Sequence, residues 1–284
     1  MQIHALRTGI IRCKKNYVNA KGSNRLMRLT SSLMDNDFTE IPVYAWVIEH
    51  PEGVIVIDTG ENAQTREASY FPLVQRPYWL SQYEFLITPE EEIGPQLRAL
   101  GIPPNEVRWV VLTHAHFDHT DGINYFPNSE IIISRKEHQE VFTWKSAHFA
   151  FPSKWRSDLN WRPIDYVPQA VGSFREGFTL TQAGDVHIVP TPGHTLGHQS
   201  VILEHDGFAF FFAGDTSFDL KSFEAGLMDA PAFDANKDLE TRRLISAYAE
   251  QKPLIYLTTH DPNTERRLQG RIPLWTPATV HQNA

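Results

Sequence analysis

Apolar residues come along this chain in short runs and alternations, broken every few positions by proline, glycine or charge. Residues 2–12 alternate weakly and predict a first strand. Two apolar runs, Pro42 to Glu49 and Val54 to Ile57, flank Pro51-Glu52-Gly53 in the pattern of a hairpin. Trp109 to Leu112 and Ile131 to Ile133 are continuous apolar runs of the kind found in buried strands. The C-terminal half predicts strands at 178–182, 185–189, 199–204, 208–213 and 254–257, with His205-Asp206-Gly207 as a hairpin turn. Helical spacing appears in three places. Thr88-Pro89-Glu90-Glu91 has the form of a capping box, followed by an apolar face of Ile93, Leu97 and Leu100 and a stop at Gly101. Ser134 with Glu137 opens a second helix, and Leu239, Leu244, Ile245 and Tyr248 mark a third near 236–250. The mixture predicts an α/β chain, and periodicity goes no further than that.

No repeat or linker interrupts the pattern, so one domain over residues 1–284 is expected. Two stretches stand apart. Residues 13–40 are polar and irregular, and read as an arm that packs on a partner or over a pocket. Residues 144–168 hold Trp144, Trp155 and Trp161 with Pro152, Pro163 and Pro168, and read as an aromatic insertion over a surface or cleft.

The chemistry sits where predicted strands end. Directly after Trp109–Leu112 comes Thr113-His114-Ala115-His116-Phe117-Asp118-His119. Residues two apart in an extended segment share a side, so His114 and His116 can face one metal ion. The chain then turns, and Asp118 and His119 can face a second. Imidazole nitrogen with carboxylate oxygen suits zinc and similar divalent ions. Three later strand ends repeat the pattern, at His194, Asp215 and His260. Asp58, at the end of Val54–Ile57, can cap the following turn or accept a hydrogen bond behind a ligand histidine; local sequence favours the cap. His138, His148 and His187 belong to no such pattern.

Composition narrows the picture. A length of 284 residues with 41% hydrophobic content supports a large core. A net charge of −8 speaks against a non-specific nucleic-acid binder, and Arg266, Arg267 and Arg271 read as solvated surface. Cys13 is the single cysteine. No intramolecular disulfide is then possible, a reducing compartment is expected, and the thiol reads as a small buried apolar group. No apolar segment follows Met1, and no run approaches the roughly 20 apolar residues of a membrane helix. A cytoplasmic protein with no membrane or nucleic-acid partner is expected.

The pattern His114-x-His116-x-Asp118-His119, His194, Asp215, His260, with Asp58-Thr59-Gly60 upstream, resembles the metallo-β-lactamase superfamily over roughly residues 40–262. The resemblance implies a four-layer αββα sandwich with a dinuclear site at one edge. It implies one ion held by His114, His116 and His194, another by Asp118, His119 and His260, and Asp215 between them. Zinc is the first expectation for both ions, with manganese, iron or cobalt open. The resemblance also moves Asp58 to the role of acceptor behind a ligand histidine, and leaves His198 as a hydrogen-bonded support.

Within the superfamily the chain is most similar to the quorum-quenching N-acyl-homoserine lactone lactonases, through Thr191-Pro192-Gly193-His194-Thr195-Leu196-Gly197-His198-Gln199-Ser200 and His116-Phe117-Asp118-His119. That likeness implies hydrolytic opening of a lactone, with Asp118 handing a proton to the leaving alkoxide. The aromatic segments 70–85 and 144–161 would line a channel for the acyl chain, and the arm would serve a homodimer. One position departs. Those lactonases carry tyrosine three residues after the bridging aspartate, and this chain has Phe218, a substrate contact without a hydroxyl. The alternatives are another lactonase, a thioesterase of the glyoxalase II type, an RNA-processing nuclease and a non-catalytic metal-binding module.

Overall fold

The structure is a computed structural model that describes residues 1–143 and 149–275. The first sheet contains β1 (Gln2–Lys14), β2 (Phe38–Glu49), β3 (Ile55–Ile57), β4 (Tyr83–Leu86), β5 (Trp109–Val111), β6 (Glu130–Ser134) and β7 (Asn160–Ile164). Their order is β4-β1-β2-β3-β5-β6-β7. Neighbours from β4 to β3 run antiparallel, and those from β3 to β7 run parallel. The second sheet contains β8 (Val167–Val171), β9 (Phe174–Thr179), β10 (Val186–Pro190), β11 (Gln199–His205), β12 (Phe208–Gly214) and β13 (Leu254–Thr258). It is ordered β13-β12-β11-β10-β9-β8 and is antiparallel except for the β12–β13 pair. The helices are α1 (Lys15–Val18), α2 (Arg25–Leu33), α3 (Arg76–Gln82), α4 (Ile93–Ala99), α5 (Phe117–Thr120), α6 (Arg135–Val141), α7 (Leu220–Glu224), α8 (Ala235–Gln251) and α9 (Thr264–Gly270).

Side-chain alternation along each strand sorts the apolar residues into layers. Trp46, Ile55, Ile57 and Val111 of the first sheet meet Ile188, Val201, Phe210 and Phe212 of the second in the central core. On the outer face of the first sheet, Val56, Val110 and Ile131 are covered by Ile93 and Leu97 of α4. On the outer face of the second, Ile202 and Phe211 are covered by Ile245 and Tyr248 of α8. Helix, sheet, sheet and helix therefore form the four layers. Strands buried on both faces are apolar at every position, as in Trp109–Val111.

Several expectations change. The stretch 13–40 is not irregular. β1 continues to Lys14, α1 and α2 follow, and β2 begins at Phe38. Its ties are to its own chain: Ala20 N–H donates to the Met228 carbonyl, and the buried Arg28 guanidinium donates to the Ala232 carbonyl. The segment 144–168 contains β7 and the start of β8, so its second half belongs to the sheets and is not an insertion; Trp144 and His148 lie outside the described residues. The strand expected at 178–182 is Phe174–Thr179. The helix expected from Thr88 is two pieces. Glu91 accepts from the Thr88 backbone N–H over a 3-10 turn, Glu92 is extended, and α4 begins at Ile93. Arg267 is not solvated surface: it is buried, with its guanidinium 2.8 Å from Asp261 and its Nε donating to the Tyr256 carbonyl. The Asp206-Gly207 turn takes the positive φ values of 50° and 81° that its sequence demands. No helix among the described residues is long and apolar enough to cross a membrane.

Candidate metal centre

β3, β5, β10, β12 and β13 all present their carboxyl ends at one edge of the sandwich, and the candidate donors lie just beyond those ends. Asp58 follows β3 with φ 57°, a left-handed conformation that is uncommon for aspartate. The turn aims its carboxylate inward. Oδ1 accepts from the Thr113 backbone N–H at 2.7 Å, and Oδ2 accepts from the Thr113 hydroxyl and from His119 Nδ1, each at 2.8 Å. The cap expected from local sequence gives way to this contact with histidine. Gly214, before Asp215, has φ 53°, and a Cβ there would lie 2.7 Å from His198 Nε2 and 2.8 Å from Thr113. Only glycine lets these two loops meet.

The seven donors converge in three overlapping groups: His114, His116 and His194; His114, His119 and Asp215; and Asp118, His119 and His260. Within each group the candidate ligand atoms lie within 4.8 Å of one another. Asp215 is common ground, 3.4 Å from each of His119 Nε2, His194 Nε2 and His260 Nε2. His260 Nε2 is also 3.4 Å from Asp118 Oδ2. The Asp118 side chain is 12% exposed, against 2% or less for Asp215, His119, His194 and His260.

Three of the five candidate ligand histidines are oriented from behind. His119 donates to Asp58, His194 Nδ1 to Asp229 Oδ2 at 3.1 Å, and His260 Nδ1 to the Pro42 carbonyl at 2.9 Å. Such partners fix the tautomer and turn Nε2 toward the centre, where His194 Nε2 lies 3.0 Å from His116 Nδ1. His198 differs. Its Nε2 accepts from the Asp215 backbone N–H at 3.0 Å, and its Nδ1 faces the Thr191 hydroxyl at 2.9 Å. Burial and then His194 push its pKa down to about 3, so it is a neutral brace for the Asp215 backbone.

Electrostatics divides the set. Burial, then neighbouring imidazoles, hold His114 and His116 well below the ordinary histidine range. Burial opposes charge on His119 too, yet Asp215, Asp58 and Asp118 raise it well above that range. Burial also opposes charge on His194, which Asp229 and Asp215 lift to about 9. Burial disfavours the Asp215 carboxylate, but His260, His119 and His194 keep its pKa well below the usual value. These carboxylates favour positive charge at the point where the imidazoles meet. His114 Nε2, His119 Nε2, His260 Nε2 and Asp215 Oδ1 are all buried without a hydrogen-bond partner. Convergent, unsatisfied nitrogen and carboxylate donors fit divalent ions.

The expected donors are thus brought together. Phe218 is only 3% exposed and packs edge-on against His260, with centroids 4.7 Å apart. The aromatic channel is narrower than expected: Tyr70, Phe71 and Phe85 are locked in a buried cluster, and Trp155 and Trp161 pack on the outer face of the first sheet. His138 packs edge-on against Trp161, and His187 faces Thr179.

Some residues escaped the sequence reading. Asp229 sits in a loop far from any strand end and carries no local signal. Glu137 was legible only as a helix cap. Its backbone N–H does donate to Ser134 Oγ, but its carboxylate instead braces both ligand loops, accepting from Ala115 N–H at 3.1 Å and the Thr195 hydroxyl at 2.7 Å.

Two facing mixed sheets with this donor set at one edge define a class of metal-dependent hydrolases. Residues 38–260 match the family model described as the metallo-beta-lactamase superfamily, and the chain belongs to that superfamily. Among its relatives is the N-acyl homoserine lactonase AttM of Rhizobium radiobacter, 26% identical over an alignment of 273 residues that covers 93% of this chain and 94% of AttM. An N-acyl homoserine lactonase from Bacillus sp. is 27% identical over 248 residues, covering 84% and 88%. A solved N-acyl homoserine lactone hydrolase, with the product N-hexanoyl-L-homoserine at its catalytic metal centre, superposes with a TM-score of 0.74 at 22% identity, covering 93% and 94%. The dizinc quorum-quenching lactonase AidC superposes at 0.62 and 16% identity, covering 93% and 88%.

Proposed function

We propose that this chain is a metal-dependent hydrolase that opens the lactone ring of N-acyl-homoserine lactones, with zinc as the first candidate metal. The observation that carries the reading is Asp215, equidistant from histidines of both expected ligand sets, in a superfamily member with lactonase relatives that match most of its length. His114, His116 and His194 would hold one ion, Asp118, His119 and His260 the other, and Asp215 would touch both. When bound, two such ions supply an activated water near neutral pH and electrophilic help at a carbonyl.

The protein's own residues do the rest. Asp58, Asp229 and the Pro42 carbonyl hold imidazoles in the ligand-competent tautomer. Asp118, more exposed than the ligands around it, carries a proton to the leaving alkoxide. The product is a ring-opened hydroxy acid. Phe218 offers its ring to the substrate and supplies no hydrogen bond.

A cavity lined by His116, His194, Phe149 and Phe233 adjoins the centre. It shares Arg25 and Phe149 with an apolar groove of about 590 Å³ between α2 and α3, lined also by Leu29, Leu33, Val74, Tyr78 and Trp79. That volume suits a small organic ligand, and the groove would take the acyl chain. The test is a pH-monitored panel of N-acyl lactones, simple lactones and thioesters on metal-loaded protein. Turnover of N-acyl lactones is expected; turnover of thioesters alone would overturn the reading.

A further inference from the structure

Among the described residues, Arg25 is a cation that lines both the cavity beside the donor cluster and the apolar groove. Arg25 opens α2 and is half-buried, with its Nε sealed from solvent and without a hydrogen-bond acceptor. Its guanidinium lies 4.9 Å from the centroid of the Phe233 ring. Burial, then Arg28, lower its pKa. Among the described residues, only Arg25 and Phe149 line both spaces. Among the described residues, Arg25 is also the only charged one lining the groove. In the inner cavity the Glu137 carboxylate is already committed to Ala115 and Thr195, and Glu140 lines the same cavity.

A cation drawn partly out of water without an acceptor carries a desolvation cost that a ligand oxygen removes. The ligand must bring that oxygen to a defined place. Its reacting carbonyl would lie at His116 and His194 and its hydrocarbon tail along Leu29 and Leu33, so its acceptor would fall between. In an N-acyl-homoserine lactone the amide carbonyl occupies that middle position, one amide unit from the ring and at the head of the tail. We propose that Arg25 is a substrate-binding residue whose guanidinium donates to the amide carbonyl oxygen, selecting N-acyl lactones over alkyl lactones that lack the amide. The inference rests on the lactonase function proposed above.

The test is steady-state kinetics of the metal-loaded protein, its Arg25→Met variant and its Arg25→Lys variant. The substrates are N-octanoyl-homoserine lactone and γ-dodecalactone, which has a comparable tail and no amide. A charge-assisted hydrogen bond corresponds to about a tenfold effect or more. Arg25→Met is expected to lower the preference for the N-acyl lactone, as a ratio of kcat/KM values, by about tenfold, mainly through KM. Arg25→Lys, which keeps charge and a donor, is expected to lose less. A loss shared equally by both substrates, the mark of a misfolded α2, overturns the assignment to Arg25 and leaves the lactonase reading standing, as does an unchanged preference. Failure of the unaltered protein to open the N-acyl lactone overturns both.

Discussion

Asp58 joins strain and chemistry in one residue. Its left-handed backbone turns a carboxylate onto His119 and Thr113, where a cap would have faced the next turn. Asn tolerates the same backbone, so Asp58→Asn isolates the charge. It is expected to weaken metal affinity about 10- to 100-fold, measured by competition with a chelating dye. Asp229→Asn, behind His194, is expected to do the same. Asp118→Asn tests the proton carrier: kcat for lactone opening is expected to fall about 100-fold or more with KM changed less. Phe218→Tyr would place a hydroxyl beside His260, and is expected to raise kcat/KM for lactones; no change in rate or preference would remove Phe218 from the substrate contacts. At this scale the sequence was most legible where donors are short in spacing and follow apolar runs, as in His114 to His119. It was least legible for Asp229 and Glu137, whose roles arise from contacts across 35 and 22 positions of chain, respectively.

The elements show where hydropathy misleads. α2 has apolar residues at helical spacing, and Asn24 caps it by accepting from Met27 N–H. Yet its buried residues are Arg28 and Ser32, while Leu26 and Leu33 are 75% and 50% exposed. A helix that buries its polar side does not announce itself as an amphipathic core element. The apolar side is left to form one wall of the groove with Val74, Tyr78 and Trp79. A charge in that wall, as in Leu29→Asp, is expected to raise KM for a decanoyl lactone about tenfold while changing a butanoyl lactone far less, because only the longer chain reaches it. Equal effects at both lengths would remove the groove as the acyl subsite. The strands were easier to read, since burial on both faces leaves runs such as Val110 to Leu112 apolar throughout.

For the molecule as a whole, layering was not readable from periodicity. Alternation marks two faces of a strand but not which sheet it joins, and the order β4-β1-β2-β3-β5-β6-β7 depends on pairings far apart in sequence. The four layers came from the resemblance carried by the ligand spacing, and the facing cores bear them out. Those layers hold buried carboxylates and imidazoles together at one edge, an arrangement that ions stabilise. Removing metal is expected to lower Tm by several degrees, about 5 °C or more for ions held at a hundred times their Kd, with recovery on adding zinc. The central claim is that this edge is a two-ion lactonase site. Titrating metal-free protein with zinc while following proton release from N-hexanoyl-homoserine lactone tests it most directly. Activity is expected to rise to a plateau at two ions per chain, with one proton released per ring opened; a fully loaded protein that leaves the lactone intact would overturn the assignment.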